Sequence, residues 1–510
     1  MSSKSGEGDG GRNHKIATRL AHAGRNPSAH HGYVNTPVYH ASTMLYPDAE
    51  AFVAHRSRYR YGRRGTPTSE ALENAIKDIE GPLCEAVALL PSGLAAISAT
   101  LLSVLRAGDH VLVTDSAYLP TRKLCDTILT RYGIATTYYE PTIGSGVAAL
   151  LQANTRAVFV ESPGSLTFEI QDIPAIAAVA HAHDAVVVMD NTWASPLHFR
   201  ALEKGVDLSI QSGTKYIGGH SDLMLGTVAA NKATWNRLKE TVYEMGLCVG
   251  PDDMFLGMRG LRTMGVRLAQ HQAAGIKVAR WLEARPEVLR VLHPALESHP
   301  GHAIWKRDFT GACGLFSIVF KPAPTAAVHA FLDALTLFGI GESWGGFESL
   351  AVPFDCTPIR TARPWAPGGP TVRFHVGLED VSDLLADLEV GFAAFAEAAH
   401  GTDGSRASGR SRCGKRTGRR RSARRPVVAR GRAITRATWV LVRRLPKIDR
   451  TAPSFIASQR CPRNSPRCPR NSPRNSPRSP QRQNAKRLES DLPTRDNTAK
   501  RCFWPSSRLW

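Results

Sequence analysis

The chain contains no run of the roughly 18 or more apolar residues that a membrane-spanning helix requires. Its opening stretch, MSSKSGEGDGGRNHK, holds no apolar core of the kind a secretory leader carries. Both absences point to a soluble protein of the cytoplasm. Closely spaced cysteines are missing too: Cys84, Cys125, Cys248, Cys313 and Cys356 lie far apart, and the four beyond residue 400 form no zinc or redox pair. Free thiols and no bound metal are therefore expected. His22, His30, His31 and His40 are near in sequence but share no helical or strand period, so they add no metal site. Neither GxGxxG nor GxxxxGKS/T occurs, which leaves a dinucleotide fold and a P-loop without support.

Acidic residues are scarce at one end only. Residues 401–510 hold 30 Lys plus Arg against 5 Asp plus Glu, whereas the first 400 hold 35 against 39, so the formal charge of +21 belongs to the tail. The run SRASGRSRCGKRTGRRRSARR and the repeat CPRNSPRCPRNSPRNSPRSP cannot bury enough apolar surface to fold, and disorder is expected from residue 401. Such a segment would hold RNA or DNA through charge, in a salt-dependent way. It has no arranged aromatics for stacking bases. The plainer expectation is a tail outside the working protein, of the kind a read-through or a shifted frame produces.

Ahead of the tail, residues 66–246 alternate short apolar runs with helical periods, the pattern of a mostly parallel sheet with crossover helices. Strands are expected at VALL, HVLVTDS, AVFVES, AVVVMDN, DLSIQS and LGTVAA, with helices over Pro67–Ile79, Gly93–Leu105, Thr121–Tyr132, Ile173–His183 and Ala233–Met245. Pro67 behind Thr66 suits a first helical turn. After about residue 256 a long amphipathic helix, strands such as LFSIVF and VRFHVG, and the closing DVSDLLADLEVGFAAFAEAA predict a smaller α+β domain.

In α/β proteins ligands bind beyond the carboxyl ends of the strands. Asp190 ends AVVVMD, and Lys215 follows DLSIQS by a few residues, so both are expected at that edge. A lysine in a low-dielectric pocket becomes a nucleophilic amine suited to an imine with an aldehyde cofactor. A strand-end acid can then keep a pyridine nitrogen protonated. PSGLAAIS adds an anion site: the amides of Gly93 and Leu94 open a helix after a strand, and Ser212 and Thr214 could contribute hydroxyls. Taken singly, each feature has a plainer reading. Most lysines are solvated, and strand-end Asp residues often cap turns.

The set is more specific than its members. YGRRGTPT, PSGLAA, DSAYLP, ESPGS, DNTWASPL, SIQSGTKYIGGHSD, LRTMGVRL, HPALESHPGHAIWKRDFTGACGLFS, ESWGGFESL and RFHVGLED occur in this order. From about residue 16 to 397 they resemble the Cys/Met-metabolism family of pyridoxal-phosphate enzymes, nearest its β-lyase branch. The resemblance implies an aspartate-aminotransferase-like α/β fold of type I, with an N-terminal arm over 1–60 packing on a neighbouring subunit. A cofactor domain over 61–255 and a smaller α+β domain over 256–400 complete it.

The resemblance also implies roles. Lys215 is similar to the Schiff-base lysine, Asp190 to the partner of the pyridine nitrogen, and Tyr118 to the tyrosine stacked on the ring. Gly93, Leu94, Ser212 and Thr214 match the phosphate set. Tyr61 and Arg63 match residues that reach the phosphate of the neighbouring subunit, which implies shared sites in a homotetramer of two dimers. Arg373 resembles the arginine that grips the α-carboxylate; alone, VRFHV reads as an exposed arginine on a sheet face. Ser343 resembles the residue that positions the lysine, and Tyr243 a pocket tyrosine. The implied reaction is β-elimination of cystathionine to homocysteine, pyruvate and ammonia, with Lys215 as base and Lys215 or Tyr61 returning a proton. Glu342 departs from that branch, which carries an aromatic residue there; γ-type chemistry and broad cysteine-conjugate cleavage stay open. His220 is expected to be a hydrogen-bonded structural residue.

Overall fold

The computed structural model describes residues 14–407. The expectations for the tail therefore lie almost wholly outside the described residues. Where the two meet, the closing helix runs over Val381–Ala407, past the expected end at residue 400.

Two sheets organise the chain. The larger has strands β1 (Ala86–Leu90), β2 (His110–Thr114), β3 (Ala135–Tyr139), β4 (Thr155–Glu161), β5 (Val186–Asp190), β6 (Leu208–Ser212) and β7 (Gly226–Ala230), in the order β1-β7-β6-β5-β4-β2-β3. Its interior strands are apolar on both faces because helices cover both. On β5, Val187 and Met189 enter one core and Val188 enters the other. Only β7 runs against its neighbours β1 and β6, so the sheet is mixed rather than all parallel. The cause is local. Residues 213–225 form turns and no crossover helix, so the chain returns alongside the strand it has just left.

Local signals explain the helices. Thr66 and Ser69 form a reciprocal capping box ahead of Pro67–Glu80, and Pro67 takes the first helical position as expected. Ser92 caps Gly93–Val104 by accepting from the Ala95 amide at 3.1 Å. The helix expected over Thr121–Tyr132 begins earlier, as Leu119–Lys123, and continues as a π-helical stretch over Leu124–Leu129.

The smaller sheet contains β8 (Val288–Leu292), β9 (Leu315–Phe320), β10 (Leu350–Phe354) and β11 (Thr371–His375), in the antiparallel order β10-β11-β9-β8. Val372 and Phe374 of β11 enter a core with Phe316, Phe331 and Phe392. Period-two alternation turns Arg373 to the opposite face. The helix Pro251–Glu283 packs on Pro67–Glu80 at one end and on β8 at the other, which joins the two sheets. Among the described residues no helix is long and apolar enough to cross a membrane.

Candidate functional site

Lys215 lies in a tight turn beyond β6. Its amide donates to Ser212 O at 3.0 Å, and its carbonyl accepts from the Gly219 amide at 2.7 Å. The side chain reaches a cavity of about 500 Å³ between the carboxyl edge of the large sheet and the segment before β10. There Nζ donates to Ser343 Oγ and lies 5.3 Å from the centre of the Trp344 ring. Burial first, and then the Arg373 cation, lower the amine to about 8, while Asp190 and Glu342 pull the other way. A larger recess of about 1060 Å³ beside the N-terminal segment is lined by Arg19, Arg58, Glu70 and Asp78 among others, but by no lysine.

Asp190 ends β5 at the floor of the cavity. Its Oδ1 accepts from the Thr192 amide at 3.0 Å and from the Thr192 hydroxyl at 2.5 Å. No hydrogen bond reaches Oδ2 among the described residues. Burial raises this carboxyl, opposed by Thr192 and by the Lys215 charge. Glu161 of β4 stands in register with Asp190 and accepts from the Tyr118 amide at 2.8 Å through Oε2. Burial and the Asp190 charge push Glu161 well above the usual carboxylate range. The Tyr118 ring lines the same cavity, and its phenol is raised by burial and by Asp190.

At the other end, the amides of Gly93 and Leu94 open the helix Gly93–Val104 without a protein acceptor among the described residues, since Ser92 binds the later Ala95 amide. A Cβ at Gly93 would meet Ser212 Cβ and Oγ at 2.7 Å, so glycine is what lets the helix start sit against β6. The Ser212 amide donates to Thr192 Oγ1 at 2.8 Å. Thr214 Oγ1 donates to Leu225 O at 3.2 Å and accepts from its amide at 3.1 Å.

Arg373 enters from β11. Its Nη2 donates to Ser343 O at 3.0 Å, and its buried Nε has no hydrogen-bond partner among the described residues. Ser343, at φ +77°, thus holds the lysine by its hydroxyl and the arginine by its carbonyl. Glu342 completes this wall.

Lys215, Asp190, Tyr118, Gly93, Leu94, Ser212, Thr214, Arg373, Ser343 and Glu342 are brought together; Tyr61, Arg63 and Tyr243 are not. Arg63 Nη1 donates to Tyr243 O at 2.6 Å, Arg64 lies 5.7 Å from the Tyr243 ring, and Tyr61 is exposed. The His220 ring bonds Gly218 O at 2.8 Å. Glu161, Thr192 and Trp344 belong to the site but escaped sequence reasoning. The end-of-strand position of Glu161, one strand over from Asp190, was the signal that could have found it.

The arrangement fits a flat heterocyclic aldehyde bearing a phosphate. One cavity holds a carboxylate oxygen and two amides without hydrogen-bond partners among the described residues, together with an amine lowered to about 8. The family model described as Cys/Met metabolism PLP-dependent enzyme matches residues 17–393. Cystathionine beta-lyase MetC of Escherichia coli K12 is 44% identical over 391 residues, 74% of this chain and 98% of its own. The L-alanine/L-glutamate racemase of Wolbachia pipientis wMel is 38% identical over 390 residues, 73% of this chain and 96% of its own. The crystal structure of cystathionine gamma-lyase from Lactobacillus plantarum complexed with L-serine matches with TM-score 0.69 at 30% identity, covering 75% of this chain and 100% of that one.

Proposed function

Because the chain belongs to the Cys/Met-metabolism family of pyridoxal-phosphate-dependent enzymes, we propose that it cleaves L-cystathionine by β-elimination to homocysteine, pyruvate and ammonia, a step toward methionine. The observation that carries this reading is a half-buried amine lowered to about 8 that shares one cavity with Asp190 and Arg373. Bound, the cofactor supplies an electron sink for charge that develops at the substrate α-carbon. Lys215, Asp190, Tyr118, Gly93, Leu94, Ser212 and Thr214 would hold it.

The chain's own groups then divide the work. Arg373 binds the α-carboxylate through a planar fork, and its partnerless Nε is one donor available for it. Ser343 keeps the Lys215 amine beside that fork. The amine takes the α-proton, which its lowered pKa allows near neutral pH. Lys215, or Tyr61 of a second copy, returns a proton to the departing sulfur. Tyr61 and Arg63 line no part of the Lys215 cavity in their own chain, which suits residues that complete a neighbour's site. The reading therefore includes a cytoplasmic homotetramer of two dimers, an arm over 1–60, and domains over 61–255 and 256–400. The larger sheet falls inside the first of these domains and the smaller inside the second.

Incubation of the purified enzyme with L-cystathionine tests the proposal, with pyruvate expected as the main keto acid. Glu342 in the cavity wall favours a second reading, γ-cleavage. Predominant 2-oxobutyrate would establish it in place of the first.

Gly93→Ala tests the anion end. The added methyl must displace Ser212, an overpacking cost of roughly 1–3 kcal/mol. Affinity for the phosphate ester in equilibrium dialysis should fall, with that for the unphosphorylated aldehyde little changed.

A further inference from the structure

Asp115 sits directly after β2, three residues before Tyr118, and its side chain is fully buried. Arg122 Nη1 donates to its Oδ1 at 2.7 Å. Across the molecule, the link from β10 to β11 folds back onto the same carboxylate. The amides of Thr361, Ala362 and Arg363 donate to it at 3.0, 3.1 and 3.4 Å, and Arg360 Nε lies 3.3 Å from Oδ2. Arg360, whose side chain is 4% exposed, then reaches on. Its Nη1 donates to Thr167 Oγ1 at 2.9 Å and its Nη2 to Glu169 Oε1 at 2.6 Å.

The three segments that meet here each lead into the lining of the Lys215 cavity. Asp115 leads into Tyr118, residues 163–168 supply Pro163, Leu166 and Phe168, and the β10–β11 link leads into the strand of Arg373. We propose that Asp115 and Arg360 form a clamp between the two sheets that sets the position of Arg373 relative to Tyr118 and Lys215, and so governs the grip on the amino-acid carboxylate. Both are positioning residues, since neither lines the cavity. The geometry supports transmission. One carboxylate gathers donors from a whole turn of the smaller sheet's connection, so that turn cannot shift without stripping several buried polar groups of partners.

The inference rests on the reading of Arg373 as the carboxylate-binding residue, and the test separates the two. Glycine, which has a carboxylate and no β-carbon to cleave, is titrated spectroscopically into the cofactor-loaded enzyme. Arg360→Met should raise its Kd by about tenfold, because a misplacement of an ångström or so weakens an oriented interaction by such factors. Turnover at saturating cystathionine should stay within about threefold of the parent, as a pure loss of ground-state binding dictates. Hydrogen exchange at the amides of Thr361, Ala362 and Arg363 should quicken in Asp115→Asn. Arg360→Lys should not restore glycine binding, since an ammonium cannot span Asp115 and Glu169 together. If Asp115→Asn fails to fold, Arg360→Met carries the test, because it leaves the backbone donors and Arg122 on Asp115. An unchanged glycine Kd in Arg360→Met, with Arg373→Leu binding glycine poorly, would reduce the clamp to a local anchor and overturn the proposal. An unchanged Kd in Arg373→Leu would instead overturn the reading of Arg373.

Discussion

Lys215→Ala is expected to lower turnover by at least about 10³-fold, with loss of covalent cofactor retention, because among the described residues no other amine lines the cavity to serve as nucleophile or base. The protein should remain folded. Lys215 makes one side-chain hydrogen bond, to Ser343, and removing a partly desolvated cation relieves a cost. Two measurements check the expectation: keto-acid release under saturating cystathionine, and the mass of the intact chain after borohydride reduction in the presence of the cofactor. Retention of the added mass at another lysine would displace Lys215 from the centre of the mechanism. Lys215→Arg should be nearly as inactive, since a guanidinium does not lose its proton in the working range.

Arg373→Leu is expected to reduce kcat/KM by roughly 10²- to 10⁴-fold, the value of two charge-assisted hydrogen bonds at about 1.5–3 kcal/mol each. A second effect follows from charge. The Arg373 cation helps to lower the Lys215 amine to about 8, so its removal raises that pKa and leaves less neutral amine at pH 8. Acylation of Lys215 in the cofactor-free protein should accordingly slow at pH 8, and its midpoint should move to higher pH. Arg373→Lys separates the two effects. It keeps the positive charge, and with it most of the lowered midpoint, but it loses the fork and most of the affinity. A midpoint unmoved in Arg373→Leu would mean that burial alone lowers the amine.

The strands nearest the site were legible because their burial is written in the residues. VVVMD and HVLVT are continuous apolar runs, as a sheet covered on both faces demands. The edge strand Ala135–Tyr139 was not, since ATTYY is largely half-exposed and lacks such a run. The reversed β7 was hidden for a different reason. Strand direction depends on the path of residues 213–225, and propensity does not encode a path. Lys215 and Asp190 could be placed at one edge from strand order alone. The support around them could not, because it comes from distant parts of the chain. Arg373 arrives from the smaller sheet and Ser343 from the segment before β10, and Thr361 meets Asp115 across 246 positions. Tyr61, Arg63 and Tyr243 entered by resemblance, and the fold of one chain sets them apart from the cavity.

The Lys215 turn is enclosed by main chain and by packed side chains. A side chain at Gly260 would strike the carbonyls of Ile217 and Gly218 at 2.2 Å, one at Gly213 would meet Leu225 at 2.7 Å, and one at Gly345 would press on Lys215 itself at 3.1 Å. Mutational drift is thus shut out of the reactive turn from several directions at once. Variation in substrate preference is then expected at side chains outside the turn, such as Glu342 in the cavity wall. An ancestral scaffold of this shape could acquire new specificities while its reactive amine stayed in place.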